Sequence, residues 1–374
     1  MLVLVAVACG GDELFTPGGA DGSYDWRLPP GFPVPVVPAD NAMSDEKVEL
    51  GRHLFYDRRL SGNQTQSCAS CHLQSRAFTD GRAVGVGSTG EAHPRNSMSL
   101  ANVGYASVLN WANPNIVLLE QQALIPMFGE HPVELGMGGR EAELLERLRS
   151  DSLYERLFSD AFPGALAPVS VEHITKALAS FQRALISGDS PYDRYKFRND
   201  RRAMSEAALR GEALFFSEET ECFHCHAGVT FSASTRYVGK AFDEVEFFNN
   251  GLYNVGGTGA YPSDNVGLKE FTGLAADMGA HKAPTLRNIA VTAPYMHDGS
   301  IATLEEVIEH YARGGQLISS GPYAGDGALS PFKNGFVKGF TLTAGQKADL
   351  IAFLESLTDS TLLTSPRFSN PFRR

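Results

Sequence analysis

Four of the chain's five cysteines fall in two segments of one form, Cys68-Ala69-Ser70-Cys71-His72 and Cys222-Phe223-His224-Cys225-His226. Two thiols three positions apart on one helical turn can each reach a vinyl group of the same porphyrin. The adjacent imidazole then meets the iron as proximal ligand. The chemistry indicated is covalent c-type haem attachment, once per segment, with His72 and His226 as the iron ligands. A disulfide framework gives no reason for a histidine directly after each pair. Two Cys-x-x-Cys pairs could instead form a Cys₄ zinc site. Zinc pairs ordinarily lie closer in sequence than Cys71 and Cys222, and they do not need the histidines. His224 takes a position inside the second segment where residue type is free, and it receives no role.

These segments need helices to hold them. Ser44 is a helix N-cap followed by Asp45 and Glu46, and Val48, Leu50, Leu54 and Phe55 then form a one-sided apolar stripe. The arrangement recurs. Met43-Ser44, Gly51 and Leu54-Phe55-Tyr56 precede the first haem segment, and Met204-Ser205, Gly211 and Leu214-Phe215-Phe216 precede the second. The shared order implies an internal duplication. A helix over residues 171–186 ends at Ser187-Gly188-Asp189-Ser190-Pro191, which marks the boundary between the copies. A last helix, capped by Thr343, covers residues 347–357 with Leu350, Ile351, Phe353 and Leu354 inward. The expected fold is mainly α: two cytochrome c-type haem domains with long loops, at residues 44–190 and 200–374. Long loops are expected where a haem, and not a sheet, fills the core. Residues 1–43 read as a leader and tether, extended and rich in Gly, Pro and Asp, with order beginning near Ser44.

A length of 374 residues suits two domains, and 43% hydrophobic with 20% charged residues is a globular composition. The formal net charge of −11 excludes nucleic acid as a partner, because phosphate binding needs a basic face. It favours partners with a positive patch. No stretch after the N-terminus is apolar and long enough to span a bilayer. Leu2 to Ala8 are apolar, and Gly10-Gly11-Asp12 follow Cys9, as at the end of an export signal with a lipoprotein-type cleavage box, its basic front end absent. Cys9 is thus a candidate lipid anchor, the alternative being a plain signal in which it is incidental. Thioether attachment of haem also occurs outside the cytoplasm. The protein is therefore expected to be exported to the periplasm, free or lipid-anchored according to the fate of Cys9.

The second haem segment is followed by Ala283-Pro284-Thr285-Leu286-Arg287-Asn288 and then Thr292-Ala293-Pro294-Tyr295-Met296-His297-Asp298-Gly299. With Pro94-Arg95-Asn96-Ser97 and the stretch from Gln122 through Pro126 to Glu134, this pattern resembles the bacterial di-haem cytochrome c peroxidase superfamily. The resemblance covers roughly residues 44–358, with the two haem segments about 150 residues apart as in a duplicated cytochrome domain. It is nearest to the MauG and MbnH branch, which uses peroxide to oxidise a partner protein.

That resemblance implies a set of roles. Where peroxidases often carry a distal histidine on the first haem, this chain has Val86 in Val84-Gly85-Val86-Gly87-Ser88. Valine cannot ligate iron, so the first haem is expected to be open and high-spin, unless His93 swings in. At the second haem the family's distal methionine is matched by Tyr311, with Met278, Met296 and His310 as fallback ligands. A tyrosinate stabilises higher iron oxidation states, whereas a thioether favours the ferrous form. Glu134 matches the distal acid–base glutamate, Gln122 its companion and Pro126 a wall of the distal pocket; Glu130 and His131 stay as rivals to Glu134. Trp111 corresponds to the aromatic relay between the haems, ordinary packing being the alternative. The other tryptophan, Trp26, falls in the leader. Asn96, Thr292 and Pro294 match a calcium site between the domains, and oxygen ligands suit Ca²⁺. His297 matches a structural or haem-edge residue.

Three functions follow as expectations. One is a hydrogen-peroxide-dependent oxidase that forms a high-valent haem pair and oxidises a residue, by resemblance a tryptophan, on an exported partner protein. The second is a peroxidase that reduces hydrogen peroxide with electrons from a small redox protein. The third is a non-catalytic electron-transfer cytochrome. Val86 argues against the third and Tyr311 against the second.

Overall fold

The computed structural model describes residues 15–17 and 24–373; Cys9 and its apolar neighbours lie outside them. Among the described residues the fold is mainly helical. In chain order the helices are α1 (Asp45–Tyr56), α2 (Cys68–Cys71), α3 (Leu119–Phe128), α4 (Glu141–Arg149), α5 (Ser152–Ala161), α6 (Val171–Arg183) and α7 (Pro191–Phe197). They continue with α8 (Glu206–Phe215), α9 (Cys222–Cys225), α10 (Lys269–Thr272), α11 (Leu304–Arg313), α12 (Ala344–Glu355) and α13 (Ser360–Thr364). Strands are confined to three short antiparallel ladders, β1 (Phe15–Pro17) with β2 (Val36–Pro38), β3 (Phe247–Phe248) with β4 (His281–Lys282), and β5 (Leu317–Ile318) with β6 (Gly325–Asp326).

The sequence repeat has a packing reason. The Ser44 hydroxyl accepts from the Lys47 N–H at the start of α1, and the Ser205 hydroxyl accepts from the Ala208 N–H at the start of α8. The methionine before each cap, Met43 or Met204, is buried in the core that its helix faces, so it anchors the chain's entry into the helix. α1 then crosses α6 at Gly51, where a Cβ would stand 1.9 Å from the Ala177 carbonyl oxygen. α8 crosses α12 at Gly211, where a Cβ would stand 1.9 Å from the Asp349 carbonyl oxygen. Only glycine permits backbones this close. The next turn of each pair interlocks aromatic rings, Phe55 on Phe181 at 5.1 Å and Phe215 on Phe353 at 5.0 Å between centroids.

Three sequence expectations shift. Order does not wait for Ser44: Tyr24, Trp26, Val37 and Met43 are buried in the first core, and Phe32 is buried as well. The Tyr105 hydroxyl donates to Pro33 O and the Arg367 guanidinium donates to the Tyr24 hydroxyl, so this proline-rich segment is extended but packed. The last long helix begins directly after its Thr343 cap and ends at Glu355, and α13 follows it. α6 likewise ends at Arg183, whose guanidinium pairs with both Glu120 oxygens at 2.7 and 2.8 Å. That ion pair fixes α3 against α6.

The connection between the copies is held from the C-terminal side. Asp193 on α7 and Arg287 are each about 1% exposed and pair at 2.8 Å. The Asn288 amide donates to the Ser187 hydroxyl, and the Asp359 carboxylate accepts from the Gly188 and Asp189 N–H groups. The Leu286-Arg287-Asn288 part of the sequence pattern thus serves as a structural clamp.

Candidate functional site

α2 and α9 are single turns with a cysteine at each end, and the histidine that follows donates its N–H to the first cysteine's carbonyl, His72 to Cys68 and His226 to Cys222. The imidazoles are set alike. His72 Nδ1 lies 2.7 Å from Phe78 O and His226 Nδ1 lies 3.1 Å from Phe231 O. A carbonyl oxygen can only accept, so Nδ1 carries the hydrogen and the lone pair is left on Nε2, the tautomer of a metal ligand. Phe78 and Phe231 take positive φ of 63° and 52° to aim those carbonyls, a conformation that bulky residues rarely adopt. Burial holds both imidazoles below their ordinary pKa, hence neutral. It pushes the thiols of Cys68 and Cys225 up to about 12 and those of Cys71 and Cys222 up to about 11.

Each motif opens into its own cavity, with about 1320 Å³ of unfilled space at the first and about 1290 Å³ at the second. Because the two cysteine pairs line different cavities, they cannot form one Cys₄ site, which removes the zinc alternative. Paired thiols and a tautomer-fixed imidazole at the wall of a large, largely apolar cavity fit a haem in each.

The first cavity receives Val86 from the residue 84–88 loop, Gln122 and Pro126 from α3, and Glu134 from the segment after it. Gln122 and Pro126 are four positions apart and so share a face of α3. The Leu135 N–H donates to Pro126 O and the Met137 N–H to Met127 O, which draws the Glu134 segment along the end of α3. Burial raises the Glu134 carboxyl to about 7. Its rivals stand elsewhere: Glu130 and His131 are exposed and line neither large cavity. His93 also lines the first cavity, but its Nδ1 accepts from the Arg95 N–H at 3.1 Å. Its hydrogen therefore sits on Nε2, which faces Glu134 Oε1 at 3.9 Å.

Trp111 lines both cavities. Its indole N–H donates to Asn96 O at 2.8 Å, and its carbonyl accepts from the Lys282 N–H at 2.8 Å. The Asn96 N–H in turn donates to His297 O at 2.7 Å. Asn96 therefore adjoins the turn that carries Thr292 and Pro294, the other residues of the expected calcium site.

In the second cavity Tyr311, from α11, shares the wall with Cys222, Cys225 and His226. Burial pushes its hydroxyl up to about 12. Met296 lines the same cavity, whereas Met278 and His310 do not. Met278 packs in a separate apolar cluster, and His310 Nε2 donates to Asn250 O at 3.1 Å; neither is placed to act as a ligand. His224 stacks on Phe336 at 4.0 Å, outside the cavity.

The sequence reading missed two residues here and underrated a third. His281 and His297 stack at 3.7 Å, line the second cavity, and each has a buried Nε2 with no protein partner. Burial lowers His297 to about 3 and His281 well below its ordinary value. Beside them Lys282 is buried, its ammonium donating to Val108 O, and its pKa falls to about 7. No motif spacing marks residues 281 and 282; only folding brings them to the cavity wall.

Comparison with known proteins places the chain. The family model described as di-haem cytochrome c peroxidase matches residues 45–202. Methylamine utilization protein MauG of Methylorubrum extorquens is 32% identical over 336 residues, 89% of this chain and 83% of that protein. Cytochrome-c peroxidase IdrP1 of Pseudomonas sp. (strain SCT) is 35% identical over 361 residues, 92% of this chain and 89% of that protein. A crystal structure of a MauG-like protein associated with microbial copper homeostasis superposes with a TM-score of 0.91 at 51% identity, over 94% of this chain and 100% of that one. The chain belongs to the di-haem cytochrome c peroxidase family that includes MauG, and it is a di-haem oxidoreductase.

Proposed function

We propose that this protein is a hydrogen-peroxide-dependent di-haem oxidase whose oxidising equivalents are delivered to a residue, a tryptophan by family resemblance, on an exported partner protein. The observation that carries the reading is Tyr311, enclosed beside the second attachment motif where the peroxidases of the resemblance use a thioether. Cys68 with Cys71, and Cys222 with Cys225, would hold the two haems through thioethers, with His72 and His226 on the irons. Haem iron supplies the two-electron reduction of peroxide that the side chains themselves cannot perform.

The chain's own residues divide the remaining work. Val86, on the wall of the first cavity with His72, has no atom that could ligate iron, so it would leave an iron held by His72 open to peroxide. Glu134, raised to about 7, is suited to take a proton from one peroxide oxygen and return it to the other, with Gln122 holding the substrate and Pro126 closing the wall. Trp111, at the walls of both cavities, is suited to pass electrons between them. Asn96, Thr292 and Pro294 are assigned to calcium, which would brace the contact beside Trp111. Among the described residues no helix is long and apolar enough to cross a membrane; periplasmic placement, with or without a lipid on Cys9, is part of the proposal. The copper association of the MauG-like relative directs the search for the partner to exported copper-handling proteins.

Electron paramagnetic resonance on the resting oxidised protein tests the ligand assignment. One high-spin and one low-spin haem are expected, and Tyr311→Phe should alter only the low-spin signal. An unchanged low-spin signal would transfer the ligand role to Met296. Met296 is the observation that favours a second reading, a peroxidase supplied with electrons by a small redox protein, because its thioether lines the same cavity.

A further inference from the structure

The loop that holds Val86, where peroxidases of the resemblance often carry a distal histidine, is a small hairpin. Gly87 N–H donates to Glu91 O and His93 N–H donates to Gly85 O, pairing the two arms around a turn. The hairpin lies against the Glu134 segment. Ser88 N–H donates to Glu134 O at 2.7 Å, Val133 N–H donates to the Glu91 carboxylate at 3.0 Å, and a Cβ on Gly87 would stand 1.8 Å from Val133 O. Gln66 steadies it from the other side by donating to the carbonyls of Val86 and Gly87. One element thus fixes the backbone of Glu134 and also presents an imidazole to its side chain.

We propose that His93 is the positioning residue for Glu134: its Nε2–H donates to the Glu134 carboxylate, directly on a small closure or through one water, and holds that carboxylate toward the first cavity as a proton acceptor. The Nε2 to Oε1 separation of 3.9 Å is too long for a direct hydrogen bond and suits one that tightens, or is bridged, when substrate binds. The donor role is set by the Arg95 N–H, which occupies Nδ1. Arg95 is itself pinned by Asn265 at 3.0 Å and by Glu270 at 2.8 Å. Burial, together with the Arg95 charge, holds the His93 imidazole below its ordinary pKa. The other charged groups nearby are Glu91 on the hairpin and Asp80 and Arg82 behind Cys71; α3 presents uncharged Gln122. His93 is the imidazole of this cavity whose N–H faces the carboxylate.

The inference rests on Glu134 as the acid–base group, and the test separates the two. In haem-loaded protein, the rate of reaction with hydrogen peroxide is followed against pH by stopped flow. The Glu134 carboxyl is titrated in parallel by infrared difference spectroscopy, its band identified by its loss in Glu134→Gln. His93→Phe should slow the peroxide reaction about tenfold to hundredfold, the worth of one charge-assisted hydrogen bond. It should raise the carboxyl midpoint by about one pH unit, because the anion loses its donor. His93→Gln, which keeps an N–H at the same reach, should restore both. His93→Ala replaces the Phe variant if that one loads haem poorly. The resting spin state of the first haem should stay as in the wild type. His93→Phe with wild-type rate and midpoint, while Glu134→Gln is impaired, would overturn the inference alone. A changed first-haem spin state would also overturn it, by making His93 an iron ligand. Glu134→Gln that reacts normally would overturn the reading beneath it.

Discussion

Glu134 shows how little of a residue's role lies in its identity. A glutamate on a surface titrates near 4.3, whereas burial beside the first cavity lifts this one to about 7. As a base it must first be ionised, so the peroxide reaction should accelerate as pH rises through about 7 and level off above it. Glu134→Gln keeps the size and removes the proton acceptor; it should slow the reaction about 10²–10⁴-fold and flatten that pH profile, as stopped-flow traces across the range would show. The two Cys-x-x-Cys-His segments that line the cavities were legible in the sequence, because two thiols and an imidazole at fixed spacing leave few chemical alternatives. Preferring Glu134 to Glu130 and His131 from sequence required a resemblance; in the fold Glu134 lines the first cavity, next to the Leu135 and Met137 N–H groups that bind α3 carbonyls, while the rivals are exposed and line neither large cavity. His281 and Lys282 left no trace in the sequence, since nothing local marks a residue that tertiary packing buries.

At the scale of elements, the repeated glycines were visible as a pattern but not as a cause. Gly51 and Gly211 are the points where α1 meets α6 and α8 meets α12, and a methyl group there would collide with a carbonyl oxygen on the facing helix. Gly51→Ala and Gly211→Ala should each destabilise the protein by about 1–3 kcal/mol, the range for overpacking a filled contact. Thermal unfolding of the haem-loaded protein would measure it, and an alanine elsewhere on the exposed face of α1 serves as control. The boundaries of α6 and α12 moved by a few residues from expectation because Arg183 and Thr343 end or begin those helices through specific partners, Glu120 and the Gln346 N–H. Residues 24–43 were misjudged for a different reason. An extended chain has no helical period, so a segment that buries Tyr24, Trp26, Phe32 and Val37 looks, in sequence, like a proline-rich tether.

Across the whole molecule, the question is how two cavities act as one. The proposed route runs through Trp111, which lines both and is held by the Asn96 carbonyl on one side and the Lys282 N–H on the other. Trp111→Phe removes the indole but keeps an aromatic ring; haem content should stay at two per chain by pyridine haemochrome assay, while transfer of oxidising equivalents to the partner slows. The net charge of −11 further predicts that capture of a partner with a positive patch weakens as salt is raised. The central claim, that those equivalents leave through protein to a partner, is tested by treating the haem-loaded enzyme with hydrogen peroxide in the absence of reductant and then adding an exported protein encoded beside it. The account predicts that the enzyme retains two oxidising equivalents until the partner arrives, and that the partner then gains an oxidative mass change at one residue, located by mass spectrometry. Rapid turnover of peroxide with a reduced cytochrome, and no modification of any such partner, would contradict it.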